Sequence, residues 1–218
     1  MSAVAYDYIE EYIRGLIKES DKELLQMEEY AKINHVPIIH KEVGKFLELF
    51  INIVKPLKIL ELGTAIGYSS ILMSRCAGSK TTITTIERDK KMVELAVGNI
   101  NKLGLEKNIQ VLEGDCLNIL ENLTEKYDII FMDAGKGHYK DFFPNCVRLL
   151  NKNGVIISDN VLFRGMIASD ELIEKRKITI VKRMREYLDY ISKNNEFSTS
   201  IIPMGDGIAI STRRNAHE

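Results

Sequence analysis

Five stretches decide the fold: KILELG (58–63), TITTIE (82–87), IQVLEGD (109–115), YDIIFMDA (127–134) and GVIISDN (154–160). Each is a short apolar run, and each is separated from the next by a segment long enough for a helix. Strand alternating with helix predicts an α/β domain with a parallel sheet buried on both faces. The intervening segments read as helices over Tyr68 to Ala77, Asp89 to Leu103, Cys116 to Leu123 and Tyr139 to Leu150, the last stopped by Asn153-Gly154. Before Lys58 the period is helical: Tyr6, Ile9, Ile13, Leu16 and Ile17 share one face, and Val43, Phe46, Leu47 and Phe50 share another. Residues 1–54 therefore read as a helical extension and 55–218 as the α/β core of one domain spanning 1–218. After the fifth run a long charged helix is expected over Asp170 to Asn194. The closing EFSTSIIPMGDGIAISTRR reads as two strands joined at Gly205-Asp206-Gly207, a hairpin that brings the sheet to seven strands.

Composition removes several classes of function. The 218 residues are 45% hydrophobic and 28% charged, with 14 Gly and 4 Pro, which is ordinary globular usage. Thirty Lys and Arg against thirty-one Asp and Glu leave a net charge of -1, so any contact with a polyanion has to be a local patch. Cys76, Cys116 and Cys146 are odd in number and widely spaced, which suggests neither a disulfide framework nor a thiolate zinc site. Charges interrupt MSAVAYDYIEEYIRGLIKES every few residues, leaving no signal-peptide core and no membrane span. The expected location is the cytoplasm.

Ligands of open parallel sheets bind at the carboxyl ends of the strands, so the residue closing each run carries more information than the run. The five runs close on Glu61-Leu62-Gly63, Glu87, Gly114-Asp115, Asp133 and Asp159-Asn160. Any one such acid alone reads more readily as a helix cap. All five together describe a nucleoside pocket better than unrelated caps. The loop after Gly63 has Ala65 and Tyr68 where a dinucleotide fingerprint needs glycines, and no GxxxxGK[ST] is present, which disfavours an NAD-dependent oxidoreductase or a nucleotide triphosphatase. Gly63 and Gly67 still allow close backbone approach, and Glu87 can accept both ribose hydroxyls. S-adenosylmethionine is the common cofactor that fits. Asp133, Asp159 and Asn160 add only oxygen donors, which suit Mg²⁺ or Mn²⁺. Lys136 follows Asp133 by three residues, close enough to reach a substrate hydroxyl.

These residues resemble the class I S-adenosylmethionine-dependent, metal-dependent O-methyltransferases of the catechol and caffeoyl-CoA type. The resemblance rests on ILELGTAIGYSS, TTIERD, GDC, IIFMDAGKGHY and ISDNVLFRG, and it runs from about His35 to the C-terminus. Within that family the chain is most similar to the bacterial tRNA 5-hydroxyuridine methyltransferases, through Val36-Pro37-Ile38, Asp159 to Gly165 and IIPMGDGIAIS. The resemblance implies a Rossmann-like class I methyltransferase fold. It places S-adenosylmethionine against Val36, Glu61, Gly63, Ser69, Glu87, Asp115, Cys116 and Asp133, a divalent ion on Asp133, Asp159 and Asn160, and the general base at Lys136. It also implies a homodimer involving the N-terminal helices.

The expected reaction is transfer of a methyl group to a hydroxyl oxygen. Adjacent oxygens on a small catechol or on 5-hydroxyuracil would both suit the ion. Arg164, Lys175, Arg176, Lys177, Lys182, Arg183 and Arg185 offer a patch for the tRNA anticodon stem-loop, and the wobble 5-hydroxyuridine, converted to 5-methoxyuridine, is the expected substrate. A small-molecule methyltransferase and a non-catalytic RNA-binding module are the competing readings. His35 and His40 flank the Val36-Pro37 segment and are candidates for the pocket mouth, whereas His138 reads as a surface residue.

Overall fold

The computed structural model describes residues 4–18 and 21–214, so the two ends of the 1–218 domain lie outside the described residues. Three helices, α1 (Asp7–Leu16), α2 (Lys22–Asn34) and α3 (Lys41–Val54), precede the sheet. Then β1 (Lys58–Leu62), α4 (Tyr68–Ala77), β2 (Thr82–Glu87), α5 (Lys90–Lys102), β3 (Ile109–Glu113), α6 (Cys116–Asn122) and β4 (Tyr127–Met132) alternate. The chain continues through α7 (Tyr139–Leu149), β5 (Leu150–Ser158) and α8 (Ile178–Lys193), and closes with β6 (Phe197–Ile202) and β7 (Ile208–Arg213). The seven strands form one sheet in the order β3-β2-β1-β4-β5-β7-β6. β7 runs antiparallel to both its neighbours, and the other pairings are parallel.

This order has its reversal between β1 and β4, which diverge from there to opposite edges of the sheet. The crevice at their carboxyl ends is where side chains from both halves can converge. Apolar side chains cover both faces of the sheet. One cluster joins Leu60, Leu62, Ile130 and Met132 to α7 and α8, and the other joins Ile59, Ile83, Phe131 and Ile157 to α3 and α4. Asp89 and Asp115 start α5 and α6 as N-caps, with each Oδ1 accepting two backbone N–H groups of the first turn.

Two expectations are corrected. Asn153-Gly154 does not stop the fourth helix of the core: α7 ends at Leu149, and the pair lies inside β5. Asn151 donates to Asp128 Oδ1 at 2.6 Å and Leu150 pairs with Tyr127, so the chain joins the sheet before the glycine. The charged helix does not begin at Asp170. Residues 170–172 and 175–177 are single 3₁₀ turns, and α8 starts at Ile178. The run EKRK (174–177) has no apolar stripe to bury, and Ile173 packs instead onto Phe163, Met166 and Val181.

Helix α1 forms where periodicity predicted, and its apolar face is turned outward. Tyr6, Tyr12 and Leu16 are exposed, whereas Glu10 is buried. Polar contacts hold this helix to the body: Arg14 donates to both oxygens of Glu42 at 2.7 and 2.9 Å, and also reaches Glu10 at 3.1 Å. Among the described residues no helix is long and apolar enough to cross a membrane.

Candidate active site

Backbone pairing continues past the strands and fixes the spacing of the residues that follow them. Asp133 N–H donates to Leu62 O and Asp159 N–H to Met132 O, both at 2.9 Å, so the ends of β1, β4 and β5 are held in step. Tyr139 Oη lies 3.0 Å from both Met132 O and Asp159 O, a second tie between the two strand ends. Gly63 has φ of +103°, and a Cβ there would stand 2.9 Å from Ala134 Cβ, so only glycine lets the β1 and β4 loops approach this closely.

Beside this edge lies a cavity of about 1120 Å³, walled by Gly63, Ala65, Glu87, Asp133, Lys136, Asp159, Asn160 and Asp206. The residues of α1 that face it are Asp7, Glu10, Glu11 and Arg14, and Pro37, Ile38, Ile39 and His40 complete that side. Six of the residues singled out from sequence, Gly63, Glu87, Asp133, Lys136, Asp159 and Asn160, thus share one cavity. Val36, Glu61, Ser69, Asp115 and Cys116 are not on its wall. Glu61 lies fully buried behind the Gly63 loop, where it accepts from Ser70 and, at 2.6 Å, from Thr85, with Ser69 also hydrogen-bonded to it. Its Oε1 has no partner, and burial raises its pKa. Val36 packs against the core cluster on the α3 side. Asp115 Oδ1 caps α6, and the neighbouring Cys116 thiol is pushed up to about 12 by burial, which makes it a poor nucleophile. His40 reaches the cavity, whereas His138 is exposed beside Asp141 at 3.1 Å.

Glu87 is prepared by its own loop. Its Oε1 accepts from the backbone of Arg88 and Asp89 at 2.9 Å, and its Oε2 accepts from Ala65 at 3.0 Å. Those bonds orient the carboxylate at the edge of the cavity and leave lone pairs for further donors.

Asp133 and Asp159 are harder to explain without a ligand. Asp159 is fully buried; its Oδ1 accepts from Asn160 N–H at 2.7 Å, and its Oδ2 has no partner. Desolvation pushes its pKa up to about 6, with Lys136 opposing the rise and Asp206 adding to it. Asp133 is also raised well above the ordinary carboxyl value, by desolvation and then by the charge of Asp159. Two buried carboxyls, one raising the pKa of the other and carrying an unsatisfied oxygen, are the kind of unfavourable arrangement that a cation relieves. Among the described residues no cluster of three or more His, Cys, Asp or Glu side chains is arranged as a metal site. The candidate donor set here is two carboxylates and the Asn160 amide, all hard oxygen ligands, and it suits Mg²⁺ or Mn²⁺.

Sequence reasoning missed Phe163, Asp206 and Tyr139. The Phe163 ring faces the Lys136 and Lys177 ammoniums at 6.0 and 5.9 Å. Of the basic residues after β5, only Arg164 and Lys177 reach the cavity wall. Arg185 instead donates to Ile167 O at 2.9 Å and pairs with Asp170 at 2.7 Å.

Comparison with known proteins places this arrangement. The O-methyltransferase family model matches residues 14–214. A catechol O-methyltransferase from Niastella koreensis is 30% identical across 94% of this chain and 93% of its own length. A Staphylococcus aureus protein provisionally named a caffeoyl-CoA O-methyltransferase superposes with a TM-score of 0.89, at 31% identity, over 95% of this chain and all of that one. An O-methyltransferase from Bacillus cereus, solved in complex with SAH, superposes with a TM-score of 0.83, at 25% identity, over 95% and 97% of the two chains. A family match across nearly the whole described chain, on a fold that puts an acidic cavity at the sheet's reversal point, establishes that this chain belongs to the O-methyltransferase family.

Proposed function

We propose that the chain transfers the methyl group of S-adenosylmethionine to one hydroxyl of an aromatic ring that carries a second oxygen beside it, with a small catechol-type molecule as substrate. The observation that carries this reading is the convergence of Asp133, Asp159, Asn160 and Lys136 on a cavity that also contains Gly63 and Glu87. Relatives named as catechol and caffeoyl-CoA O-methyltransferases favour a small substrate. Asp7 and Glu11 on the α1 side of the cavity, where Glu10 is paired with Arg14, add acidic charge that does not favour a polyanion there.

Asp133, Asp159 and Asn160 would hold a divalent cation, which lowers the pKa of an adjacent hydroxyl and orients a pair of oxygens. Glu87 accepts the ribose hydroxyls, and the Gly63 turn lets the cofactor lie against the backbone. Lys136 Nζ accepts the proton of the attacking hydroxyl. In the transfer a carbon–oxygen bond forms as the carbon–sulfur bond breaks, and the sulfonium charge disappears. The chain's contribution is alignment of the three atoms and removal of that proton.

A second reading, 5-hydroxyuridine in the tRNA anticodon loop, draws support from Arg164 and Lys177 on the cavity wall and the exposed Lys175 and Arg176 beside them. Methyl transfer to a simple catechol and to tRNA carrying 5-hydroxyuridine, measured under identical conditions, separates the two. The catechol is expected to be methylated with little dependence on salt. Methylation of the tRNA alone, weakening steeply as salt rises, overturns the small-molecule reading.

Glu87→Ala is expected to weaken S-adenosylmethionine binding by about 1.5–3 kcal/mol, roughly 10- to 150-fold, because one charge-assisted acceptor is lost. Calorimetry showing wild-type affinity removes Glu87 from the site.

A further inference from the structure

The turn after β5 carries the candidate donor Asn160 and the wall residues Phe163 and Arg164, and its backbone is unusual. Three of its non-glycine residues lie in the left-handed region: Asn160 at φ 57°, Phe163 at φ 42° and Arg164 at φ 55°. Such conformations persist where the surroundings impose them. What surrounds this turn is the β6–β7 hairpin, 42 residues further along the chain. Val161 N–H donates to Gly207 O at 3.0 Å, Leu162 N–H donates to Asp206 O at 2.9 Å, and Arg164 N–H donates to Asp206 Oδ1. A Cβ on Gly207 would stand 2.8 Å from the Leu162 nitrogen, so the hairpin backbone lies directly against the turn.

An aspartate in a tight hairpin usually hydrogen-bonds within its own turn. The bond from Asp206 Oδ1 instead runs to Arg164, and the residue, nearly buried, lies on the wall of the active-site cavity. We propose that Asp206 is a positioning residue for methyl transfer: through Arg164 and Leu162 it sets the turn that aims Asn160 at the cation and holds the Phe163 ring against Lys136. This rests on the metal-assisted reading above. Because the turn decides where the oxygen pair sits relative to Lys136, Asp206 governs which of two unequal hydroxyls receives the methyl group.

The test uses the full chain and 3,4-dihydroxybenzoate, whose two hydroxyls give distinguishable products. Asp206→Ala is expected to weaken Mn²⁺ binding, measured calorimetrically, by about 10-fold and to lower kcat by about 10- to 100-fold, with the KM for S-adenosylmethionine within about 2-fold of wild type. The ratio of meta to para product should move toward one. Asp206→Asn keeps an oxygen to accept the Arg164 N–H and is expected to restore metal affinity and product ratio. Should the alanine variant fail to fold, Asp206→Glu keeps charge and acceptor but displaces the turn, and it is expected to shift the product ratio in the same direction. Wild-type Mn²⁺ affinity and an unchanged ratio in Asp206→Ala, or in Asp206→Glu where alanine does not fold, overturn the proposal, as does an asparagine variant as impaired as alanine. A wild-type protein that binds Mn²⁺ but methylates no catechol sinks the proposed substrate class instead, and the calorimetric comparison then decides Asp206.

Discussion

Replacing Asp159 by alanine is expected to cut methyl transfer by about 10³-fold or more, because the cation's polarising effect is worth several kcal/mol and each tenfold costs about 1.4 kcal/mol. Chelation of the wild-type protein should do the same, and added Mg²⁺ or Mn²⁺ should reverse it. The same carboxylate should act against the stability of the metal-free fold. In the folded chain Asp159 is pushed up to about 6, mainly by desolvation, from an ordinary value of 3.8. The folded state therefore binds its proton more tightly than the unfolded state, and stability falls as pH rises from about 4 to about 6. Above that range the whole penalty, on the order of 3 kcal/mol, is in force. Asp133, whose pKa is also raised by burial, contributes a decline of the same sign. Thermal melts of chelated protein should thus lose stability with rising pH, and Asp159→Asn should flatten the curve over the lower part of the range. Full turnover in a rigorously chelated sample, or in Asp159→Ala, would sink the metal mechanism. Melts of Asp159→Asn that keep the wild-type pH slope would show that Asp159 is solvated rather than strained.

The sheet and its chemistry were readable because both depend on local pattern. Runs such as YDIIFMDA announce a buried parallel strand and, at its end, a polar residue that the strand direction must deliver to the carboxyl edge. Glu87, Asp133 and Asp159 follow that logic into one cavity. Asp115 occupies the equivalent place on β3, yet its Oδ1 caps α6 and the residue is off the cavity wall, since β3 is an edge strand two places from β1 and the sheet's reversal point. Position along a strand was legible, whereas distance across the sheet was not. The outward apolar face of α1 was unreadable for a related reason: periodicity identifies a stripe but not what covers it, and here Arg14 and Glu42 outweigh Tyr12 and Leu16. Asp206 and Tyr139 act through contacts between strand ends far apart in the chain, and no spacing rule encodes those.

Lys136→Ala is expected to lower kcat by about 10²- to 10⁴-fold, the range for loss of a positioned general base, while S-adenosylmethionine affinity stays within about 2-fold of wild type. The structure gives Lys136 a second duty that must be separated from the first. Its positive charge opposes the rise of the Asp133 and Asp159 carboxyls, and its Nζ faces the Phe163 ring at 6.0 Å. A base must instead be a neutral amine. Lys136→Arg distinguishes the duties, because a guanidinium supplies the charge but does not give up its proton in a protein. If Lys136 is the base, the arginine variant is as slow as the alanine variant. If arginine restores turnover, the residue is a counter-ion, and the hydroxyl loses its proton to water. Metal-free melts give the complementary reading: alanine removes the charge that opposes the rise of the two carboxyls and lowers the melting temperature at neutral pH, whereas arginine leaves it near the wild-type value.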